Sequence, residues 1–470
     1  MRRYVVFTVV SLALLLASIS NSSASVAFPV IISDLNTTLV MAGWILSAYQ
    51  LVQTIVMPLA GKLSEIFSRR ASFIVYTLLF SAGSILCALS PNIYLLIGAR
   101  VMQAIGGGGF MPCAAGIVSD EFPEARQRFI GLFSSIFPIG AIIGPNLGGW
   151  MVEAFGWRSV FWFNVPLGVV VLGLSRFLLK AGKNGRDSGA RIDFVGAGLL
   201  FGSISAFMFG LTQLGNVEAG TPWLFAGLSF ALGTGLMMIF LFWEHRAKEP
   251  IIDLELLKKG PFLAANAYNL IYGVCALGIF SLTPLYAVSV YNMSTLQSGV
   301  LLTPRSIAMM IASTLTSFFL VKWGYRWPIL VGTLIVTANL VVFALQPQGI
   351  DIGGLHVGAT LLLFLIVGIA GIGHGTSTPA ANNACIELMP DKVATITGLR
   401  GMFRSLGSTL GVSIATVVIH AMGNVQRAFY VVMLAAAALL LISLPAVFMM
   451  PASPNVSIPP NPSGKTGYSA

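Results

Sequence analysis

The stretch Gly140-Ala141-Ile142-Ile143-Gly144-Pro145-Asn146-Leu147-Gly148-Gly149 lies inside a long apolar segment and sets the interpretation of the whole chain. Three of its glycines recur every four residues, so on a helix they form one smooth stripe. In water, each glycine inside a helix costs roughly 1 kcal/mol relative to alanine. In lipid, small residues let two helices approach closely, and such packing holds membrane helices together. The stretch therefore predicts a transmembrane helix with a close-packed face, bent at Pro145.

The composition extends this interpretation to the entire chain. Of the 470 residues, 56% are hydrophobic and 9% are charged, whereas a soluble domain carries about 25% charged residues. The net charge of +10 is spread over short loops without a basic arm, which argues against a nucleic-acid partner. The cysteines form no Cys-x-x-Cys pair and lie in apolar segments, so we expect neither a metal site nor a disulfide. They are Cys87, Cys113, Cys275 and Cys385.

Apolar runs of about 20 residues, separated by short polar loops, predict fourteen membrane spans and an all-α integral membrane fold. The predicted limits are 5–32, 42–62, 71–90, 93–118, 128–152, 158–179, 194–214, 222–243, 262–291, 297–321, 327–346, 356–388, 396–422 and 426–450. With a cytoplasmic N-terminus, 19 of the 26 lysines and arginines lie on the cytoplasmic side, two on the other side and five within spans. This asymmetry predicts a plasma-membrane or inner-membrane protein with both termini cytoplasmic.

An internal repeat divides the chain. Ile105–Gly144 and Ile372–Gly411 match without gaps at ten of 40 positions, mostly glycines and prolines. Spans 4–5 therefore correspond to spans 12–13, which gives six, two and six spans, and repeated halves around a central site are a common plan of secondary transporters. We expect an N-terminal six-helix bundle at 1–180, a cytoplasmic loop with two inserted helices at 181–250, a C-terminal six-helix bundle at 251–450 and a disordered tail at 451–470.

Four stretches together carry a family resemblance. They are 61–70 (GKLSEIFSRR), 96–106 (LIGARVMQAIG), the glycine stretch 140–149, and 157–166 (WRSVFWFNVP). With them the chain resembles the major facilitator superfamily, specifically its fourteen-helix branch of drug:proton antiporters, over nearly its whole length. The resemblance implies the superfamily fold, and its glycine stretch (Gly140, Gly144, Pro145, Gly148 and Gly149) points to multidrug exporters.

The loop after span 2 is a candidate gate. Glu65, Arg69 and Arg70 lie at the predicted cytoplasmic face beside Gly61. Acid and base on adjoining helix ends can hold two bundles together in one transport state and release them in the other. In the resembling family, the position of Glu65 belongs to such a gate and is usually aspartate. The alternative is a plain basic loop that follows the positive-inside rule.

Basic and amide groups within the spans are candidates for a substrate or proton site. A guanidinium in lipid is costly, so Arg100 is expected to face a cavity or a partner. The resemblance implies that this arginine handles protons or substrate, with Gln103 one turn away. We hypothesise that Arg100, Arg305 and Arg404 line a central cavity of positive potential, with Arg400 one turn from Arg404. Snorkelling of the arginines to the membrane interface is the alternative.

His374 lies near the middle of span 12, and histidine is the side chain whose unperturbed pKa is near neutral pH, so His374 is the candidate proton carrier. A hydrogen-bonded core histidine is the alternative. No carboxylate is expected near a midplane. Where this branch usually carries a buried aspartate, span 1 has Ser20, and Asn21 is the nearest amide. Gln50 and Gln53 add polar groups in span 2, and the run 18–25 is expected either to face the cavity or to join helices.

These features predict a secondary active transporter of exporter polarity that moves a small amphipathic molecule by alternating access with proton coupling. The alternative substrate is an anionic or zwitterionic amphiphile or lipid, moved without carboxylate-based proton coupling. A non-transporting membrane receptor is the alternative of another class. The sequence contains no metal-ligand cluster, nucleophile–base pair or phosphate loop. We therefore expect no enzymatic activity and no cofactor, and a monomer that interacts with its substrate, protons and the lipid bilayer.

Overall fold

The computed structural model describes residues 2–37, 39–179, 193–215, 222–247, 259–293, 295–352 and 355–453. Within these ranges, fourteen long helical spans follow one another, and we number them α1 to α14. The N half contains α1 (Arg2–Asp34), α2 (Leu39–Ile66), α3 (Arg69–Leu89), α4 (Ile93–Glu121), α5 (Arg126–Ser134 continued by Ile136–Phe155) and α6 (Arg158–Trp162 continued by Asn164–Leu178). The inserted helices are α7 (Phe194–Gly215) and α8 (Pro222–Arg246).

The C half begins with α9, whose helical pieces run from Gly260 to Tyr291, and α10 (Thr295–Val300 continued by Leu302–Trp323). It continues with α11 (Arg326–Ala344), α12 (Ala359–Glu387), α13 (Val393–Met422) and α14 (Val425–Met449). Thirteen of the described helices are long and apolar enough to cross a membrane, and α7 contributes a shorter apolar helix, Gly198–Gly210. The predicted all-α membrane fold is confirmed. The division into two bundles remains a prediction, and the predicted loop at 181–192 and most of the tail, 454–470, lie outside the described residues.

The predicted start of span 12 at residue 356 is wrong. Gly349–Ile352 and Leu355–Gly358 pair as two antiparallel strands, and α12 begins only at Ala359. The strands contain several β-branched residues, which favour extended backbone. The intervening Gly-Gly sequence, which lies outside the described residues, is typical of a two-residue hairpin turn.

The glycine stripe of α5 packs against the serine-rich part of α1. Gly140, Gly144 and Gly148 are buried, and a methyl group on any of them would overlap a serine of α1. Ser22 and Ser23 donate hydrogen bonds to the carbonyl oxygens of Gly140 and Gly144, at 3.2 and 2.7 Å. The stripe therefore provides the close contact between α1 and α5, as small residues do in membrane helix pairs.

The sequence repeat is matched by equivalent helix contacts in the two halves. Gly407 and Gly411 of α13 pack against the backbone of α9, just as the stripe of α5 packs against α1. Gly106 of α4 contacts α3, and its repeat partner Gly373 of α12 contacts α11. The same glycine positions therefore serve corresponding helix pairs.

Helix α9 is not the continuous α-helix expected at 262–291. An α-helical piece, Gly260–Tyr272, leads into a π-helical turn, Gly273–Gly278, and a 3₁₀ turn, Ile279–Leu282, before α-helix resumes at Thr283–Tyr291. Both glycines that bound the π turn face the backbone of α13. Such turns are uncommon and occur often at functional sites.

Candidate functional site

The two halves are joined at the end of the molecule where α2 ends and α13 begins, which we call the basic end because most basic loops lie there. Glu65 accepts hydrogen bonds from the backbone nitrogen and the Oγ1 of Thr395, at 3.1 and 2.6 Å. Gly61 faces the backbone of Ala394, where a side chain would collide. The absence of a side chain at Gly61 therefore allows α2 and α13 to approach closely enough for the Glu65–Thr395 contact.

The two arginines of the candidate gate stay within the N half. Arg69 forms an ion pair with Asp120 at 2.6 Å and donates to the carbonyl oxygen of Gly116. Arg70 donates to the carbonyl oxygen of Arg176 at 2.6 Å. Among the four candidate gate residues, Glu65 therefore makes the described hydrogen bonds between the halves. Its donors are the backbone amide and the hydroxyl of Thr395, not a basic side chain.

A second contact between the halves at the basic end was missed by sequence reasoning. Arg126 of α5 forms an ion pair with Glu387 of α12 at 3.0 Å, and the side chains are 16% and 5% exposed. Tyr325 donates its hydroxyl to the same carboxylate at 3.1 Å. Glu387 occupies the repeat position of Asp120, which was the available signal. We call the Glu65–Thr395 and Arg126–Glu387 contacts together the basic-end latch.

A cavity of about 910 Å³ lies between the halves, nearer the opposite end. Its described lining comes from α1, α2, α7 and α13 and carries no formal charge. The lining residues are Asn21, Ser22, Ser25, Trp44, Leu46, Gln50, Leu51, Phe201, Ser205, Met208, Phe209, Ser408, Thr409, Val412, Ser413 and Thr416. The volume is within the range of pockets for drug-sized ligands, about 300–1,000 Å³.

The cavity is amphipathic, with different chemistry on its different walls. Most of the hydroxyl and amide groups come from α1 and α13, whereas α2 and α7 supply the large apolar side chains. Trp44 of α2 stacks on Phe209 of α7, with ring centroids 6.1 Å apart. The inserted helix α7 is therefore part of the cavity wall, which no sequence pattern indicated.

A polar contact between the halves lies at the edge of the cavity. Gln50 donates to the Oγ of Ser405 at 2.7 Å, and the hydroxyl of Thr54 lies 2.6 Å from the same oxygen. Of the amides predicted from the sequence, Asn21 and Gln50 therefore reach the cavity. Gln53 is half-buried on α2 and is absent from the described lining.

Arg100 lies inside the N half and is fully buried. It donates to the Oε1 of Gln103 at 2.6 Å and to the carbonyl oxygen of Ile45 at 3.3 Å. Its guanidinium carbon lies 4.2 Å from the centre of the Tyr49 ring, within cation–π distance. Arg100 therefore contacts protein groups rather than the interface, contrary to the snorkelling alternative.

A buried network continues from Arg100 through Gln103. The Gln103 amide donates to the hydroxyls of Ser84 and Ser20, at 2.7 and 3.2 Å. Asn164 donates to the same Ser20 hydroxyl at 3.0 Å. Ser20, which stands where the resembling branch carries an aspartate, therefore connects α1 to α4 and α6 as a neutral acceptor.

The C half contains a second group of polar side chains, centred on the half-buried Arg305 and the buried His374. Arg305 donates to the carbonyl oxygen of Ala276, in the π turn of α9, at 3.2 Å, and its Nη2 lies 3.3 Å from the Nε2 of His374. The Nε2 of His374 also lies 2.5 Å from the Ala276 oxygen, and its Nδ1 lies 2.7 Å from that of Ala370. The π turn thus presents one carbonyl to both side chains.

Arg400 and Arg404 extend this group along α13. Arg400 is buried and Arg404 is partly exposed. Neither forms a hydrogen bond or an ion pair with the part of the chain that the structure describes. We call Arg305, Arg400 and Arg404 the arginine cluster. The structure separates this cluster from Arg100, and none of the four arginines belongs to the described cavity lining, which differs from the sequence hypothesis of one shared wall.

Comparison with known proteins gives concordant results. The profile of the Major Facilitator Superfamily matches residues 10–412. The chain is 28% identical over 424 residues to the multidrug transporter protein MdtP of Bacillus subtilis, covering 89% of this chain and 76% of the relative. It is 30% identical over 415 residues to the multidrug resistance protein B homolog of Mycobacterium tuberculosis, covering 87% and 74%.

The fold also matches a solved structure, that of the human organic anion transporter MFSD10 (TETRAN). The TM-score is 0.67 at 16% identity, with 95% of this chain and 99% of the other covered. Identity this low bears on the fold alone. Taken with the profile match, the helical architecture and the relatives, these findings show that the chain belongs to the major facilitator superfamily and is a secondary transporter, not an enzyme.

Proposed function

We propose that this protein exports a small amphipathic molecule by alternating access. The observation that carries the proposal is the distribution of contacts between the halves. The basic-end latch joins them at one end, whereas the 910 Å³ cavity lies between α1, α2, α7 and α13 nearer the other end. This arrangement corresponds to a state whose site faces the end opposite the latch.

The orientation follows from charge. Lysines and arginines concentrate in loops at the basic end, and such loops face the cytoplasm. The N- and C-termini are then cytoplasmic, the protein lies in the plasma or inner membrane as a monomer, and the cavity faces outward. Relatives named as multidrug transporters and resistance proteins support export.

The cavity supports an amphipathic substrate. Aromatic and apolar side chains of α2 and α7 suit an apolar body, while the hydroxyls of α1 and α13 suit polar substituents. Counterflow in proteoliposomes, with neutral, cationic and anionic fluorescent amphiphiles, tests transport directly. We expect exchange of at least one class above protein-free liposomes. Binding of a probe without counterflow of any member would instead favour a receptor.

We further propose that His374 carries the coupling proton. Both ring nitrogens face carbonyl oxygens, which a doubly protonated ring satisfies completely and a neutral ring only in part. The guanidinium of Arg305, whose Nη2 lies 3.3 Å from the Nε2 of His374, opposes this proton by its own positive charge. Tyr272 and Phe280 pack edge-on against the ring. Release of the proton would then be favoured whenever Arg305 is without a counterion.

The variant His374→Gln tests this role. We expect substrate exchange to persist while uphill transport driven by a pH gradient is lost, because glutamine cannot bind the proton. His245→Gln, on an exposed face of α8, is the matched control and should keep pH-driven transport. Unchanged pH dependence in His374→Gln would refute the assignment.

A further inference from the structure

We propose that the arginine cluster, Arg305, Arg400 and Arg404, binds the anionic group of the transported molecule. This inference rests on the proposed export function and names the substrate class. The anionic end of an amphiphile would bind the arginine cluster, which lies outside the uncharged cavity wall, while the apolar body of the same molecule would occupy the cavity.

The first argument is charge. Two of the three guanidiniums belong to residues that meet the π turn of α9: Arg305 donates to Ala276, and the backbone of Arg404 contacts Gly273. The described ion pairs of the chain involve none of the three arginines. A charge taken out of water is costly unless a partner of opposite sign offsets that cost. Within the described residues the fold supplies no carboxylate here, so an anionic ligand would provide the missing partner.

The second argument is unused hydrogen-bonding capacity. The Nε atoms of Arg305 and Arg400 are buried without an acceptor among the described residues. Arg404 donates no hydrogen bond to any described residue either. Guanidiniums bind carboxylate, sulfonate and phosphate oxygens through paired, charge-assisted hydrogen bonds. The cluster therefore offers unpaired guanidinium donors, the kind of group that such anions bind.

Arg100 provides the contrast within the same molecule. Its Nη1 and Nε already donate to protein acceptors, and the Tyr49 ring covers its face. Arg100 therefore has two protein acceptors and leaves its Nη2 without one, whereas Arg400 and Arg404 have no acceptor among the described residues. This difference places the anion site in the C half.

The third argument is the position of the cluster relative to the cavity. Arg404 is partly exposed and lies four residues before Ser408, which belongs to the cavity lining. Residues four apart on a helix lie on the same face, about one turn from each other. An amphiphile whose body occupies the cavity can therefore direct an anionic end toward Arg404 and Arg305.

Matched aromatic probes test the proposal on the full-length protein in lipid nanodiscs. The probes are naphthalene-2-sulfonate, 2-naphthoate and the cationic N,N,N-trimethyl-2-naphthylammonium. We expect the two anions to bind wild-type protein at least tenfold more tightly than the cation. Arg404→Gln and Arg305→Gln should each weaken anion binding tenfold or more, while Arg404→Lys should retain part of it. Arg427→Gln, at an exposed position on the opposite end, is the matched control.

The outcomes separate the site from the transport function. Equal anion affinity in Arg404→Gln, Arg305→Gln and Arg427→Gln would overturn the proposal, as would the absence of anion binding to wild-type protein. Counterflow of the cation without binding of either anion would leave the exporter standing and refute the anion site. If the glutamine variants fail to fold, Arg404→Lys decides the question: a partial loss of anion affinity supports the site, and anion affinity equal to that of the wild type overturns it.

Discussion

The arginines within the helices of the C half show how single residues depart from what stability alone would select. Each guanidinium inside the helical bundle loses hydration, and Arg305, Arg400 and Arg404 gain no carboxylate in return among the described residues. Proteins commonly keep such unfavourable groups where activity needs them. Stability and transport should therefore respond in opposite directions when one of these charges is removed.

Replacing Arg305 by methionine tests that expectation. Methionine has an apolar side chain of similar length, so the variant removes a half-buried charge, while the Ala276 oxygen keeps His374 as a neighbour. We expect the free energy of unfolding to stay equal or rise by on the order of 1 kcal/mol, with loss of anion transport. Thermal unfolding in detergent, with Arg427→Met as the control, provides the measurement. A clear decrease in melting temperature relative to that control would show that Arg305 serves the fold.

At the scale of helices, glycines set the distance between neighbours. Gly407 of α13 meets the backbone of α9 so closely that a methyl group has no room. We expect Gly407→Ala to destabilise the protein by about 1–3 kcal/mol through overpacking. In Gly98→Ala the added methyl meets nothing within 4 Å, and the better helix propensity of alanine should leave stability unchanged or raise it by about 1 kcal/mol. Equal melting temperatures for the two variants would contradict the close contact between α13 and α9 at Gly407.

A junction between helices gives a pH-dependent prediction. Asp34, at the end of α1, accepts hydrogen bonds from Trp157 at 2.9 Å and Arg158 at 2.8 Å. The Trp157 bond first, and then the Arg158 guanidinium, hold the pKa of the Asp34 carboxyl below its ordinary 3.8. Because the folded-state pKa is lowered, the stabilising contribution is present above 3.8 and is lost as the pH falls through the folded-state value.

Asp34→Asn should therefore lower stability at pH 7, by less than about 1 kcal/mol since the pair is exposed. Below the folded-state pKa, the variant and the wild type should converge. Melting temperatures recorded from pH 7 down to about pH 3 check this, with the exposed Asp391→Asn as the reference. A stability difference that stays constant across this range would contradict the linkage.

At the scale of the whole molecule, we expect the basic-end latch to hold one of the two transport states. Its shortest described hydrogen bond between the halves joins the Glu65 carboxylate to Thr395 at 2.6 Å. Hydrogen bonds to charged groups contribute about 1.5–3 kcal/mol, which corresponds to a tenfold or larger change in the ratio of the two states. Weakening the latch should therefore move the population away from the outward-facing state.

A cysteine placed at Ser413, in the cavity wall, reports this population. The native cysteines are buried and free, so background labelling by a membrane-impermeant thiol reagent should be low. We expect Glu65→Gln and Thr395→Val to slow labelling from the outside several-fold, and the exposed Glu153→Gln to leave it unchanged. Faster labelling in the latch variants would reverse the proposed role of the contact.

Much of this architecture could be predicted from the amino-acid sequence. Apolar run lengths indicated the spans, and the spacing of Gly140, Gly144 and Gly148 indicated a close helix contact, because hydropathy and helical period are local properties. The repeat indicated that Gly407 and Gly411 serve an equivalent contact. The hairpin before α12 was missed, since its short strands merge with a long apolar run.

The amino-acid sequence by itself determined the helical membrane fold, the repeated halves and the set of candidate polar residues. Only the tertiary structure decided their partners: Glu65 meets Thr395 at a separation of 330 residues, α7 joins the cavity wall, and Arg100 donates to two protein acceptors while Arg404 donates to none among the described residues. The physical reason is that helix-forming and lipid-compatible residues are recognisable one segment at a time. Which polar groups meet depends on how fourteen chemically similar helices pack, and that is a property of the whole molecule.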